Sequence, residues 1–285
     1  MPPLDYAIDP LNDRLASTPP RIATAVSGRA SEQPLVFDCE DLWQHTLPLL
    51  DVLKSRYGRS PLAELGGTYG WSVRNEEAAD YDRMEVHTLG EYVDSFRRGE
   101  AGLPYLRHVS LNRALPELRQ HLKDPAQFQP NWVNHRALDR LGGPELFVGQ
   151  AGTRFGCLHQ DHASVHVGFV QLQGEKEFVL YPPEDGPYLY RWTTRHFPYQ
   201  TRNSWLHYAD LENYEQYPLL RYTHPRRVVL RAGQAMLLPA DWWHTTLNLS
   251  DSVSYSIRIV NRSNIGRVIS THLKGVPRLF RKPGV

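Results

Sequence analysis

Three side chains, widely separated along 285 residues, have the types and spacing to hold one metal ion. The segment Gly156-Cys157-Leu158-His159-Gln160-Asp161 contains His-x-Asp, and residues two apart in an extended chain project to the same side. One imidazole and one carboxylate can therefore meet a single ion. Far downstream, Leu238-Pro239-Ala240-Asp241-Trp242-Trp243-His244 places His244 just after a turn, at the start of the next apolar stretch. Two histidines and a carboxylate on one face of an octahedral ion make the facial triad of non-haem iron(II) and leave three positions open. A bidentate keto acid can fill two of them and dioxygen the third, which is the arrangement an oxygenase needs. An isolated His-x-Asp is a weak pattern in a chain with 13 histidines and 31 acidic residues. The bland alternatives are a hydrogen-bonded surface His159 and a His244 packed behind Trp242 and Trp243. The odds change because His-x-Asp, a Gly-x-Lys strand at Gly174-Glu175-Lys176 and a distal Pro-x-x-Trp-Trp-His occur in that order.

The elements that must position these residues are mostly β. The runs 145–148, 165–172, 177–181, 227–230, 235–238 and 253–260 are rich in Val, Leu, Phe and Tyr and are separated by Gly, Pro or Asp turns. Short strands at that spacing predict a sandwich or barrel with helices packed outside it. Helical spacing of Leu42, Leu49, Leu50 and Leu53 predicts a helix within 38–57, and Thr88-Leu89-Gly90-Glu91 predicts a capped second helix. A strand is expected at 68–74 and a short helix at 115–122, before a turn at Gly142-Gly143-Pro144. Residues 1–34 read as an extended N-terminal arm, and 35–285 as a single domain with its barrel core at about 145–262. Residues 184–226, with seven Tyr and two Trp, read as a long insert between two barrel strands. In the last strand, alternation puts Ser254, Ser256 and Arg258 on one face and Val253, Tyr255, Ile257 and Ile259 on the other. A barrel-facing Arg258 follows from one register and a solvent-facing one from the other.

Composition narrows the class. A hydrophobic share of 41% and a charged share of 22% are ordinary globular values. With 32 Lys plus Arg against 31 Asp plus Glu, no global positive field marks a nucleic-acid binder. Cys39 and Cys157 are read as free thiols, since a chain of this size needs no staple. The start MPPLDYAIDP lacks the basic patch and apolar stretch of a secretory signal, and no run of about 18 apolar residues occurs. No membrane association and a cytoplasmic location are the resulting expectations.

The stretches 157–161, 170–183 (Val170-Gln171-Leu172-Gln173-Gly174-Glu175-Lys176 through Pro183) and 239–249 (Pro239-Ala240-Asp241-Trp242-Trp243-His244 through Leu249) together resemble the JmjC-type hydroxylases. They look most like the small hydroxylases related to the asparaginyl hydroxylase of hypoxia-inducible factor. The likeness is weak from about Thr68 and strong from Leu146 to Val260. It implies a mainly β fold, a double-stranded β-helix (jelly-roll, cupin/JmjC) barrel with N-terminal α/β elements packed around it. It further implies an iron(II)- and 2-oxoglutarate-dependent dioxygenase using oxygen as co-substrate, with His159, Asp161 and His244 as iron ligands. Lys176 would pair with the distal carboxylate of 2-oxoglutarate, where a buried dicarboxylate needs a fixed cation, and Tyr105 would bond the same carboxylate. Relatives often have Thr three residues before the first metal-binding His; this chain has Gly156, and Thr153 is the candidate substitute. Where relatives often have Asn, fourteen residues beyond the distal His, this chain has Arg258; with Ser256 on its face, it could bind 2-oxoglutarate or an acidic substrate.

The expected reaction is hydroxylation of an unactivated C–H bond, with an amino-acid, peptide or protein side chain as substrate. His162 and His166, beside the metal segment, could line the substrate site or stand behind it. The aromatic insert, with Tyr188, Tyr190, Trp192, Trp205, Tyr208 and Tyr214, suits a peptide groove; it equally suits a packing cover over the barrel mouth or a homodimer surface. Rival readings are a non-catalytic JmjC-like binding module, which would be expected to have lost a ligand or the lysine, and a cupin enzyme using another metal such as zinc, which favours His or Cys donors. Demethylation of histone lysine is a subtype alternative, disfavoured because no reader domain or basic tail accompanies the barrel.

Overall fold

Strand alternation decides which side chains meet in the interior, and two sheets, antiparallel but for one edge pair, supply the facing surfaces. The computed structural model describes residues 32–65, 86–133, 143–191 and 202–271, together with the backbone of Arg21–Ile22. In chain order the elements are β1 (Arg21–Ile22), β2 (Leu35–Asp38), α1 (Leu49–Tyr57), α2 (Leu62–Leu65), α3 (Leu89–Arg97), β3 (Leu106–Ser110), α4 (Pro116–Gln120), β4 (Glu145–Gly149) and β5 (His159–Gln160). They continue with β6 (His166–Gln173), β7 (Glu175–Tyr181), β8 (Arg226–Arg231), β9 (Gln234–Leu238), β10 (Trp243–Asn248) and β11 (Ser252–Ile259). One sheet has the order β1-β2-β9-β6-β11-β4-β3 and the other β5-β10-β7-β8. This is the jelly-roll architecture predicted from the sequence, with the helices outside it.

The large sheet buries its outer face under the helices. Val253, Tyr255, Ile257 and Ile259 of β11 join Leu53, Tyr92, Val93, Phe96 and Leu118 in one apolar core, while Ser254, Ser256 and Arg258 turn inward to a pocket. The predicted alternation is therefore present, in the barrel-facing register. Helix α3 starts as the sequence predicts: Glu91 N–H donates to Thr88 Oγ1 at 3.3 Å, and Thr88 N–H donates to Glu91 Oε2 at 3.0 Å. Its Tyr92 hydroxyl reaches the carbonyls of Pro104 and Val148, 3.0 Å from each, and ties the helix to β4 and to the residue before Tyr105.

Some predicted elements change. The expected helix within 38–57 is confined to Leu49–Tyr57, because Leu35–Asp38 instead pairs with β9 as an edge strand of the large sheet. Pro48 stands at its N-terminus, where a missing N–H costs nothing. The helix expected at 115–122 spans Pro116–Gln120. The strand expected at 68–74, Gly142 and Trp192 lie outside the described residues, as does most of the N-terminal arm, whose Arg21–Ile22 pairs in parallel with β2.

The aromatic insert packs against the small sheet. Leu189, Tyr190, Leu206, Leu211, Leu219 and Leu220 form a second core with Leu158, Val179, Tyr181 and Trp243, with Tyr188, Trp205, Tyr208 and Tyr214 partly buried against it. None of these aromatics lines the pocket between the sheets. The described residues of the insert pack over β7 and β10, where Tyr181 and Trp243, on the outer face of that sheet, supply the apolar surface. Among the described residues no helix is long and apolar enough to cross a membrane.

Candidate metal centre and pocket

His159 and His244 stand directly opposite each other, because β5 and β10 are antiparallel neighbours with these two residues in register. Their ring centroids are 4.3 Å apart. Asp161, just past β5, brings Oδ2 to 3.5 Å from His244 Nε2. One donor atom from each of the three residues lies within 4.8 Å of the others, which is compact enough for a single ion. His159 Nδ1 lies 3.1 Å from the Cys157 carbonyl and His244 Nδ1 lies 3.5 Å from the Trp242 carbonyl. Such carbonyls take the Nδ1 proton and leave Nε2 as the metal donor. Burial, with His244 adding to it, pushes His159 down to about 3, and burial also lowers His244. Burial alone would raise Asp161, but His244, His159 and Arg258 outweigh it and hold the carboxyl below the usual range. Neutral imidazoles beside an ionised carboxylate are the state a cation requires. Asp161 Oδ2 is buried and has no hydrogen-bond partner. An orphaned carboxylate oxygen aimed at two imidazole nitrogens fits a metal ion that would complete it. Both cysteines are free thiols, and Cys157 faces the centre with its carbonyl, so no sulfur joins the set.

The pocket containing these residues has an empty volume of about 460 Å³, its open mouth included. At another part of its wall, Lys176 on β7 is only 3% exposed. Its ammonium donates to the Tyr105 hydroxyl at 3.1 Å and to the Ser254 hydroxyl, and it sits over the rings of Tyr105 and Phe147. Among the described residues no carboxylate pairs with it. A buried cation with only neutral partners is costly unless an anion arrives.

The structure thus gathers His159, Asp161, His244, Lys176, Tyr105, Ser256 and Arg258 around one pocket. Thr153 lies outside it: its hydroxyl donates to the Gln150 carbonyl at 2.6 Å and accepts from Asn248 Nδ2 at 2.8 Å. Asn248 is the register partner of Lys176, so Thr153 stands one residue behind the lysine. His166 is also turned away. Its Nδ1 accepts the Ala240 N–H at 2.9 Å and its Nε2 lies 2.7 Å from Ser263 Oγ.

Several lining residues escaped the sequence reading. Phe178 and Thr246 follow Lys176 and His244 by two positions and share their faces, so alternation could have found them. Phe169 meets His244 edge-on, and Phe155 stacks on His159 at 4.4 Å. Glu145 and His108 carry no such signal. Glu145 accepts from His108 Nδ1 at 2.8 Å and pairs with Arg258 at 3.5 Å; burial opposes its ionisation, but Arg258 and His108 hold its carboxyl below the usual range.

Two facing sheets, with a His-x-Asp…His set on one and a buried lysine between them, define a metal-binding jelly roll. Residues 26–259 match the cupin-like domain family, and the chain belongs to it. The 2-oxoglutarate and iron-dependent oxygenase JMJD4 of Gallus gallus is 26% identical over 179 residues, covering 61% of this chain and 40% of that protein. HSPB1-associated protein 1 of Homo sapiens is 34% identical over 114 residues, covering 39% and 22%. The lysine-specific demethylase JMJ21 of Arabidopsis thaliana is 30% identical over 195 residues, covering 61% and 19%. The chain spans less than half the length of each of these relatives. By these similarities the cupin-like chain resembles JmjC-type proteins, one of which is named as an iron- and 2-oxoglutarate-dependent oxygenase.

Proposed function

We propose that this chain is an iron(II)- and 2-oxoglutarate-dependent hydroxylase acting on an amino-acid or peptidyl side chain in the cytoplasm. The observation that carries the reading is Lys176: a buried ammonium without a counter-charge, in the same pocket as a three-donor metal site. Lys176, Tyr105 and Ser254 would hold a carboxylate of 2-oxoglutarate, which would satisfy the lysine, and His159, Asp161 and His244 would hold the iron. When bound, iron(II) and 2-oxoglutarate supply oxidative decarboxylation of the keto acid to succinate and carbon dioxide, with one oxygen atom of O2 going into a substrate C–H bond.

The chain's own residues bind, orient and exclude water. The Cys157 and Trp242 carbonyls fix the imidazole tautomers, while Phe147, Phe155, Phe169 and Phe178 form an apolar part of the pocket wall. No general base is required. The relative named as a demethylase raises removal of a methyl group as a variant of the same hydroxylation. Release of formaldehyde in place of a stable hydroxylated product would favour that variant.

The test is an anaerobic titration of the protein with iron(II) and 2-oxoglutarate, following the weak visible charge-transfer band of a chelated keto acid. The band is expected in the wild type and lost in His159→Ala and His244→Ala. Well-folded wild-type protein that never shows it would return the chain to a binding-module or other-metal role.

A further inference from the structure

Strand β3 carries one residue more than its partner. Leu106 pairs with Val148 and Val109 with Leu146, so Arg107 and His108 together oppose the single residue Phe147. This is a β-bulge, a device that re-aims side chains at the edge of a site. His108 sits at φ 56°, in the left-handed region that a non-glycine residue adopts at a cost. As a result the two side chains do not alternate across the strand: His108 lines the pocket, and Arg107 lies beside it against two of the lining rings. His108 packs on Phe147 and Phe155, and the Arg107 guanidinium lies 5.2 Å from the centroid of Phe155 and 6.0 Å from that of Tyr105. Both rings line the pocket, and Phe155 stacks on the metal-site His159.

Arg107 has no protein carboxylate to neutralise it among the described residues. Glu145, the pocket's carboxylate besides Asp161, is held by His108 and Arg258. Among the described residues, the pocket lining and the adjoining Arg107 therefore bring three cations, Lys176, Arg258 and Arg107, against two carboxylates, Asp161 and Glu145. A divalent metal would add two positive charges and a dicarboxylate cofactor would remove them. One positive charge is left over, at the rim. A guanidinium resting on ring faces keeps planar N–H donors that match a carboxylate.

We infer that the Arg107–His108 bulge is the substrate-recognition edge of the pocket and that it takes a carboxylate-bearing substrate, either an acidic peptide segment or a small free acid. The inference rests on the function proposed above. It predicts that basic side chains are poor substrates, because they would meet an uncompensated like charge.

Wild type and the Arg107→Met, Arg107→Lys and Arg107→Glu variants, loaded anaerobically with iron(II) and 2-oxoglutarate, are titrated calorimetrically with N-acetyl-aspartate and with length-matched acidic, neutral and basic peptide pools. Acidic probes should bind wild type best, lose about tenfold in affinity in Arg107→Met, recover in part in Arg107→Lys and lose their preference in Arg107→Glu. The charge-transfer band should persist throughout. Binding of acidic peptides alone assigns a protein substrate, and binding of N-acetyl-aspartate alone a small acid. Equal or better binding of neutral or basic probes, no binding of any acidic probe, or an unchanged preference in Arg107→Met would overturn the inference. Absence of the band in wild type would instead remove the cofactor reading beneath it.

Discussion

Lys176 pays no part of its burial through an ion pair with the protein; its partners are the hydroxyls of Tyr105 and Ser254. Removing the charge should therefore not hurt the empty protein. Lys176→Met is expected to melt at the wild-type temperature or above, since an apolar chain of similar length replaces an uncompensated buried cation. The same variant should lose at least about 100-fold in 2-oxoglutarate affinity, about 3 kcal/mol, while cobalt(II) titration shows the metal still bound. The triad was legible in the sequence because His-x-Asp shares one face of an extended chain and a distal Trp-Trp-His follows it in order, and Lys176 because the Gly-x-Lys between them completes the family resemblance. Arg107 and His108 were not: the bulge that brings His108 into the pocket lining and Arg107 against Phe155 is a property of the β3–β4 pairing, and a reading by alternation sends them to opposite faces.

At the scale of elements, the return of the insert braces the metal centre. Ser204 N–H donates to the Leu158 carbonyl and Leu158 N–H to the Leu206 carbonyl, both at 2.9 Å, so residues 203–206 run as an added edge beside the ligand-bearing segment. Arg202 donates to the Asp161 carbonyl at 3.0 Å, to Asp241 Oδ1 at 2.8 Å and to Ser164 Oγ at 2.9 Å. One guanidinium thus spans the two segments that deliver the ligands. Arg202→Met should weaken cobalt(II) binding roughly 10-fold to 100-fold, the usual effect of losing a group that orients metal ligands, with partial rescue in Arg202→Lys. At the β6–β7 turn, Gly174 has φ 72°, and a Cβ there would lie 2.1 Å from the Asp251 carbonyl oxygen. Gly174→Ala should lower unfolding free energy by about 2 kcal/mol or more in denaturant titration, with the loss greatest where Lys176 begins its strand. The longer strands were readable as apolar runs between turns. β5 and β10 were not read as strands: β5 is two residues long, and Trp243-His244-Thr245-Thr246 is buried on both faces and shows no alternation.

For the whole molecule, acid should undo the fold partly through His166. Burial, assisted by Arg267, pushes it down to about 4, against an ordinary value near 6.5 in the unfolded chain. The unfolded state then binds the proton first, so stability rises with pH across that interval. The contribution of a neutral His166 is complete above about pH 6.5 and is lost as pH falls toward 4, at up to about 1.4 kcal/mol per pH unit. Urea melts between pH 4 and 7 should show this slope, and His166→Asn should flatten it. A slope unchanged in that variant would assign the acid sensitivity to other groups.

By itself the sequence determined the β-rich architecture, the capped α3 helix, the alternation of β11 and the positions of the metal-ligating set and Lys176, because strand period, capping and motif order are local or ordered along the chain; which face of β11 points inward was left to the fold. Only the tertiary structure decided that the aromatic insert covers the outer face of the small sheet, that Arg202 ties it to the metal centre, and that Arg107, His108 and Glu145 gather at the pocket. Those outcomes depend on which strands pair and in what register, and the partners that set the register of β3 lie some 40 residues away in the chain.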